Sequence, residues 1–377
     1  MQYIQRSIEK QINDRLFKEK VVIVYGARQV GKTTLVKKIL QDFSGKSKYL
    51  NCELLSVQRG LLELEAEKLR SFLGDYKLVV LDEAQSIPNI GNVLKIMVDT
   101  FPQMQIIATG SSSFDLLQKI SEPLTGRSST FILYPISLKE IKESKDLFFA
   151  QAKMESMLRF GSYPEIIALD EMAAKERLNE ITSNYLYKDI LQFEGLKRSS
   201  VMKNLLQALA LQLGQEVSYQ ELAAKLGINR LTVVKYIDIL EQSFVVFVLR
   251  SFSRNKRKEI SKSIKVYFYD LGIRNSLIEN YNALDIRNDT GPLWENFCII
   301  ERKKANEDNL RFSNLYFWRT YDQKEIDLVE ERDGKLFAYE CKWKKESKVK
   351  KPTDFLVSYP DSEFNVIDSG NYWKFLL

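Results

Sequence analysis

Gly26-Ala27-Arg28-Gln29-Val30-Gly31-Lys32-Thr33 is the stretch that decides the fold. It fits the pattern G-x-x-x-x-G-K-[ST] and lies between an apolar run, Val21 to Val24, and a helix-periodic segment from Lys32 to Phe43. A phosphate-holding loop needs that context. A strand delivers the chain, the glycines let backbone N–H groups face the phosphates, and the following helix adds its positive end. Gly26, Arg28, Gly31, Lys32, Thr33 and Thr34 are therefore the expected nucleotide contacts. Lys32 reaches the β- and γ-phosphates, and Thr33 offers its hydroxyl to Mg2+.

Outward from the loop, the runs VVIVY, SKYLNC, KLVVLD, MQIIATG and TFILYPI alternate with helical patterns up to about Tyr134. Short buried strands alternating with helices predict a parallel α/β sheet, a P-loop NTPase sheet with helices on both faces. KLVVLD ends in two carboxylates. Asp82 is expected to hold Mg2+, and Glu83 to orient and deprotonate an attacking water, which favours hydrolysis over mere binding. A helix-start acid is the plainer reading of Glu83. Ser111 and Ser112, after the strand QIIATG, fit hydrogen bonds to the γ-phosphate equally with a helix cap. Arg127 suits a transition-state arginine, in cis or from a second copy, or a surface ion pair.

The bulk composition sets limits. The 377 residues give room for two or three domains at roughly 100–200 residues each. Hydrophobic content of 45%, mean hydropathy of −0.26, net charge of +6 and a pI near 8.9 describe a mildly basic globular chain, open to a nucleic-acid partner. Three cysteines argue against a disulfide framework. The absence of histidine excludes Ser-His-Asp and Cys-His catalysis and histidine zinc sites, leaving oxygen-held cations. The N-terminus lacks an apolar signal region, and the apolar runs fall short of the roughly 20 residues that span a bilayer. A cytoplasmic location without membrane contact is the expectation.

The combination GARQVGKTTL, LDEAQ, ATGSSS and LTGR followed by YPISLKE resembles the AAA+-type ATPases of archaea and bacteria, and FGSYPEI, YLYKDIL and LWENF extend the likeness along nearly the whole chain. The resemblance implies ATP rather than GTP, and a winged helix and a nuclease-like domain after the ATPase core. Domains are accordingly expected at 1–136, 137–250 (winged helix 216–250) and 251–377, with Ser251–Ser263 as a linker.

In the middle part, Val217 to Tyr236 reads as two short helices, with Gly227 at the turn and Asn229 capping the second. Phe244 to Leu249 reads as a wing strand. Arg230, Thr232, Lys235 and Tyr236 are placed to meet a DNA groove, and Arg254, Lys256, Arg257 and Lys258 to meet phosphates. Packing between domains is the alternative.

In the last part, Asp333-Gly334 signals a tight hairpin that sets Asp327 opposite Glu340, with Lys342 on the same face. Ile326, Leu328, Phe337, Tyr339 and Cys341 are expected on the other, core face. Two opposed carboxylates repel unless a cation joins them. The arrangement resembles the PD-(D/E)xK nuclease core of the restriction-endonuclease-like α/β fold, which implies a second metal site on Asp327 and Glu340, with Glu295 of LWENF nearby. The alternatives are a Glu325–Lys342 ion pair on an exposed face, and an inactive nuclease-like fold serving a nucleotide-gated scaffold with a protein partner. The sequence leaves the oligomeric state open, a homo-oligomer included.

Overall fold

The computed structural model describes residues 3–63, 65–111, 123–186, 199–253, 264–320, 322–345 and 349–377. The chain forms two compact units, one on Gln2–Pro135 with Gln242–Phe244, the other on Ile136–Glu241 and Val245–Leu377.

In the first unit the order is α1 (Ser7–Arg15), β1 (Val21–Tyr25), α2 (Lys32–Asp42), β2 (Ser47–Asn51), α3 (Leu55–Leu61), α4 (Ala66–Leu73), β3 (Leu78–Asp82), α5 (Ile90–Thr100), β4 (Gln105–Gly110) and β5 (Ser128–Ile132). The five strands are all parallel, in the order β2-β3-β4-β1-β5. The central strands β1, β3 and β4 are short and buried nearly throughout, as strands of a parallel sheet covered by helices are, whereas the edge strands β2 and β5 are more polar and only partly buried. Val21, Ile23, Val79, Leu81, Ile106 and Ala108 belong to one core cluster with residues of α3, α4 and α5. Leu35, Val36 and Ile39 of α2 are also buried, and α2 contacts β2, β3 and β4. This is the α/β P-loop NTPase fold that the alternation of strands and helices predicts.

The second unit opens with α6 (Leu138–Ser144), α7 (Leu147–Phe160), α8 (Pro164–Ile167), α9 (Glu171–Glu180) and α10 (Ser199–Leu211). It continues with β6 (Glu216–Val217), α11 (Tyr219–Leu226), α12 (Arg230–Gln242), β7 (Val246–Ser251), β8 (Ile264–Phe268) and α13 (Leu271–Leu277). The last elements are α14 (Thr290–Asp308), β9 (Asn314–Arg319), β10 (Glu325–Arg332), β11 (Lys335–Cys341), α15 (Thr353–Ser358), β12 (Glu363–Ile367) and α16 (Trp373–Leu376). Seven strands form one sheet, β12-β11-β10-β9-β7-β8-β6.

The sheet corrects the expected boundary at 250/251. Arg250 and Ser251 of β7 pair with Tyr316 and Phe317 of β9, so the ladder runs through that point. The strand expected from Phe244 begins at Val246 instead, because Phe244 has a left-handed backbone, φ 57°.

The motif FGSYPEI has an architectural explanation. The Asp270 carboxylate accepts the backbone N–H groups of Ser162 at 2.6 Å and Ile273 at 3.1 Å, joining the end of α7 to the start of α13. A Cβ on Gly161, whose φ is 76°, would lie 2.0 Å from Asp270 Oδ1, so only glycine allows the approach.

The β10–β11 hairpin keeps the expected register. Arg332 faces Lys335 and Leu328 faces Tyr339, and both turn residues have positive φ, Asp333 at 50° and Gly334 at 74°. Ile326 is buried, as expected of a core position, but its neighbours differ from those that strict alternation predicts. A bulge between Ile326 and Val329 in the pairing with β9 moves Ile326 into a core cluster with Val329, Ala338 and Phe355.

Candidate active site

The phosphate loop follows β1 directly. A Cβ on Gly26 would fall 2.1 Å from the Leu133 carbonyl oxygen, which excludes any other residue. Gly31 turns left-handed, φ 98°, immediately before α2. The ammonium of Lys32 is buried and donates to the carbonyls of Gly26 and Ala27, each at 2.9 Å. Arg28 is half-buried in the loop, and Thr34 is exposed on the first turn of α2.

Asp82, at the end of β3, is buried and fully engaged. Its Oδ2 accepts Thr33 Oγ1 at 2.7 Å and Tyr49 Oη at 2.5 Å, and its Oδ1 accepts Thr109 Oγ1. The same Thr109 oxygen accepts the backbone N–H of Glu83 at 3.0 Å. Glu83 is held left-handed, φ 54° and ψ 46°, a conformation that non-glycine residues adopt chiefly where surrounding structure imposes it. Its carboxylate accepts Gln85 Nε2 at 2.5 Å, and Gln85 also donates to Ser111 Oγ at 3.1 Å. A hydrogen-bonded chain thus runs from Thr33 through Asp82, Thr109, Glu83 and Gln85 to Ser111. Ser112 lies outside the described residues.

Tyr49, Thr109 and Gln85 were not singled out from sequence. The available signals were a polar residue inside an apolar strand, in QIIATG, and the amide closing LDEAQ. Burial and the hydrogen bond to Asp82 raise the Tyr49 phenol above its ordinary range, keeping it a donor. Burial, with Asp82 and Glu83, pushes the Cys52 thiol up to about 12, so it is no thiolate nucleophile. The hydroxyl of Thr33 beside the carboxylate of Asp82 is an all-oxygen donor pair that suits Mg2+.

Arg127 is not at this site in its own chain. Its carbonyl accepts the N–H of Val21, at the start of β1, and Ser128 pairs with Val21. The loop leaves the other end of β1, about 16 Å away for five residues of strand. The guanidinium binds Asp99 at 2.7 Å, and both side chains are about two-fifths exposed. The surface ion pair is the reading that the structure supports.

The two middle helices form as read. Gly227, φ 63°, ends α11, and Asn229 Oδ1 accepts Thr232 N at 2.7 Å and Thr232 Oγ1 at 2.9 Å before α12. Val233, Ile237 and Leu240 are buried. Arg230 and Lys235 are exposed, and Arg230 lies over the Tyr219 ring, 5.8 Å from its centroid. Tyr236 is buried at 6% exposure, which corrects its assignment to a groove-facing surface. Arg254, Lys256, Arg257 and Lys258 lie outside the described residues.

The C-terminal acids converge, though not around a cation of the solvent. Asp327 accepts Cys341 N at 2.8 Å, and burial, with Glu295 and Glu340 nearby, pushes its carboxyl well above the usual range. Glu340 pairs with Lys342 at 2.8 Å. Glu295, on α14, accepts Lys265 Nζ at 2.9 Å and Tyr267 Oη at 2.5 Å, and Lys265 also binds Glu325 at 2.5 Å. Burial alone would lower the Lys265 pKa, but Glu295, Glu325 and Asp327 outweigh it and the net shift is upward. The expected Glu325–Lys342 pair is replaced by these partners. Among the described residues, no group of three or more acids and cysteines is arranged to hold a metal. Glu295, Asp327 and Glu340 do not fit the metal expected there, because their oxygens already face lysines, a phenol and a backbone N–H. Again among the described residues, no helix is long and apolar enough to cross a membrane.

Residues 18–142 match the family described as AAA domain, 151–285 a domain of unknown function (DUF8612), and 290–370 another (DUF4143). An uncharacterized protein of Mycobacterium tuberculosis is 30% identical over 343 residues, covering 90% of this chain and 74% of its own length. One from Methanocaldococcus jannaschii is 26% identical over 412 residues, covering 98% and 91%. Among solved structures, a chain of Drosophila ORC bound to AT-rich DNA and Cdc6 is 11% identical with a TM-score of 0.26, covering 73% of this chain and 90% of that one. That likeness is too distant to bear on function. The N-terminal match and the loop geometry agree on a nucleotide-binding P-loop domain of the AAA type. The chain belongs to the family of the uncharacterized mycobacterial protein, with an AAA domain followed by two domains of unknown function.

Proposed function

We propose that the chain is a Mg2+-dependent ATPase whose second unit acts on or near DNA. The observation that carries the hydrolytic reading is the chain of hydrogen bonds from Thr33 to Ser111, with Glu83 in its middle. When bound, Mg2+ offsets negative charge on the phosphate oxygens, and Thr33 and Asp82 are the residues to hold it. Lys32, released from the loop carbonyls, adds its positive charge at the β- and γ-phosphates. Glu83 takes a proton from the attacking water, with Thr109 fixing its backbone and Gln85 its carboxylate. The absence of an N-K-x-D segment favours ATP. The test is phosphate release: Lys32→Ala loses nucleotide binding, whereas Glu83→Gln keeps binding and loses turnover by about 10²–10⁴-fold. Wild-type turnover in Glu83→Gln removes it as the base.

Helices α11 and α12, with strands β6 and β7, support a winged-helix reading of residues 216–250. Exposed Arg230 and Lys235 on α12, together with the basic residues 254–258 that follow β7, favour a DNA backbone as its partner. Binding to duplex DNA that weakens as salt rises tests this, and no binding at low salt overturns it. A second reading is a nucleotide-gated scaffold for a protein partner, with an inactive nuclease-like fold; the pairing of Lys265 with Glu295 and Glu325 favours it. Arg127 enters the ATPase reading only through a second copy of the chain, since it lies far from its own loop.

A further inference from the structure

Asp327 lies near Glu295 and Glu340, and Glu295 near Glu325, and carboxylates brought together in this way repel unless cations offset them. The chain supplies its own cations. Lys265 lies in the middle of β8 with only 1% of its side chain exposed, and its ammonium bridges Glu295 at 2.9 Å and Glu325 at 2.5 Å. Its stem is fixed as well. Lys265 pairs with Leu249 on one side and Glu216 on the other, and its Nζ lies 5.7 Å from the centroid of the Phe317 ring. Tyr267, two residues along the strand, donates to the same Glu295 oxygen. Arg319 reaches Glu325 at 3.4 Å, and Lys342 holds Glu340 at 2.8 Å.

We propose that Lys265 is the resident cation of this cluster, bridging Glu295 and Glu325 beside Asp327 in the role a metal would otherwise fill, so that the C-terminal fold works without a divalent ion. Phosphodiester cleavage through Asp327 and Glu340 is then closed to the chain as folded. The lysine comes from β8, which also pairs with β6 beside α11, so the cluster ties those strands to β10 and α14 through charge. Withdrawing the ammonium would leave Glu295 with Tyr267 and Glu325 with Arg319 at 3.4 Å in place of a close ion pair, which makes the exchange for a solvent metal unfavourable. This inference bears on the second reading above and is independent of ATP turnover.

The test uses the full chain and Mn2+ alone, without nucleotide, followed by electron paramagnetic resonance. Wild type and Asp327→Asn bind Mn2+ alike. Lys265→Gln gains a site at least about tenfold tighter, and the double variant with Asp327→Asn loses it. Lys265→Arg, which keeps the charge, gains nothing. Weaker Mn2+ binding in Asp327→Asn than in wild type overturns the proposal, as does a folded Lys265→Gln without the gain. If Lys265→Gln does not fold, equality of wild type and Asp327→Asn supports the proposal and a difference sinks it. ATP turnover measured on the same samples separates this result from the fate of the ATPase reading.

Discussion

Gln85 holds Glu83 by its side-chain amide, at 2.5 Å, and from the same nitrogen reaches Ser111 at 3.1 Å. It is thus a positioning residue between the proposed base and Ser111 at the end of β4. Gln85→Ala should lower kcat for ATP by about tenfold with little change in KM, because the loss falls on orientation in the transition state. A change confined to KM would assign Gln85 to binding.

Arg127 gives the opposite expectation. At the far end of β1 from its own loop, it pairs with Asp99. Arg127→Ala should match wild type in turnover per chain at low protein concentration. A deficit that grows with concentration would place the guanidinium in the site of a second copy.

Asp289 is bound by Arg274 at 2.5 Å and by Arg287 at 2.7 Å. Burial opposes ionisation there, but the two guanidinium groups outweigh it and lower the carboxyl to about 2. The folded value lies below the unfolded one near 3.9, so the stabilisation is present above about pH 4 and lost as pH falls toward 2; it amounts to about 2–3 kcal/mol. Asp289→Asn should lower the urea midpoint at pH 7 and narrow its gap from wild type as pH falls to 3. A gap unchanged with pH would count against the charge assignment.

Gly161 is a packing requirement, distinct from any role in nucleotide chemistry. Gly161→Ala brings a methyl group to 2.0 Å from Asp270 Oδ1 and keeps φ at 76°. The variant should unfold with a loss on the order of 2–4 kcal/mol while ATP affinity in the first unit stays at the wild-type level. Equal loss of both would show that the two units unfold together.

What could be read from the chain without its structure was whatever depends on near neighbours. The loop Gly26–Thr33 is read correctly because strand, glycines and helix follow one another directly. The hairpin at Asp333-Gly334 is read correctly because a two-residue turn fixes the pairing on both sides. That Ile326 is core is legible, but which neighbours it packs against is not, since a bulge depends on the partner strand β9 and not on β10 itself. Arg127 follows LTGR at a suggestive place in sequence, yet strand direction puts it at the wrong end of the sheet. The polar chain Tyr49, Thr109 and Gln85 becomes visible only when β2, β3 and β4 lie side by side. Lys265 sits 60 residues before Glu325 in a run that reads as ordinary strand, KVYFYDL. Sequence alone therefore determined that this protein has a phosphate loop and a pair of acids on a hairpin. Only the tertiary structure decided that Lys265 pairs with Glu295 and Glu325, because charge pairing is set by distance in space, and β8 reaches α14 and β10 only once the sheet has formed.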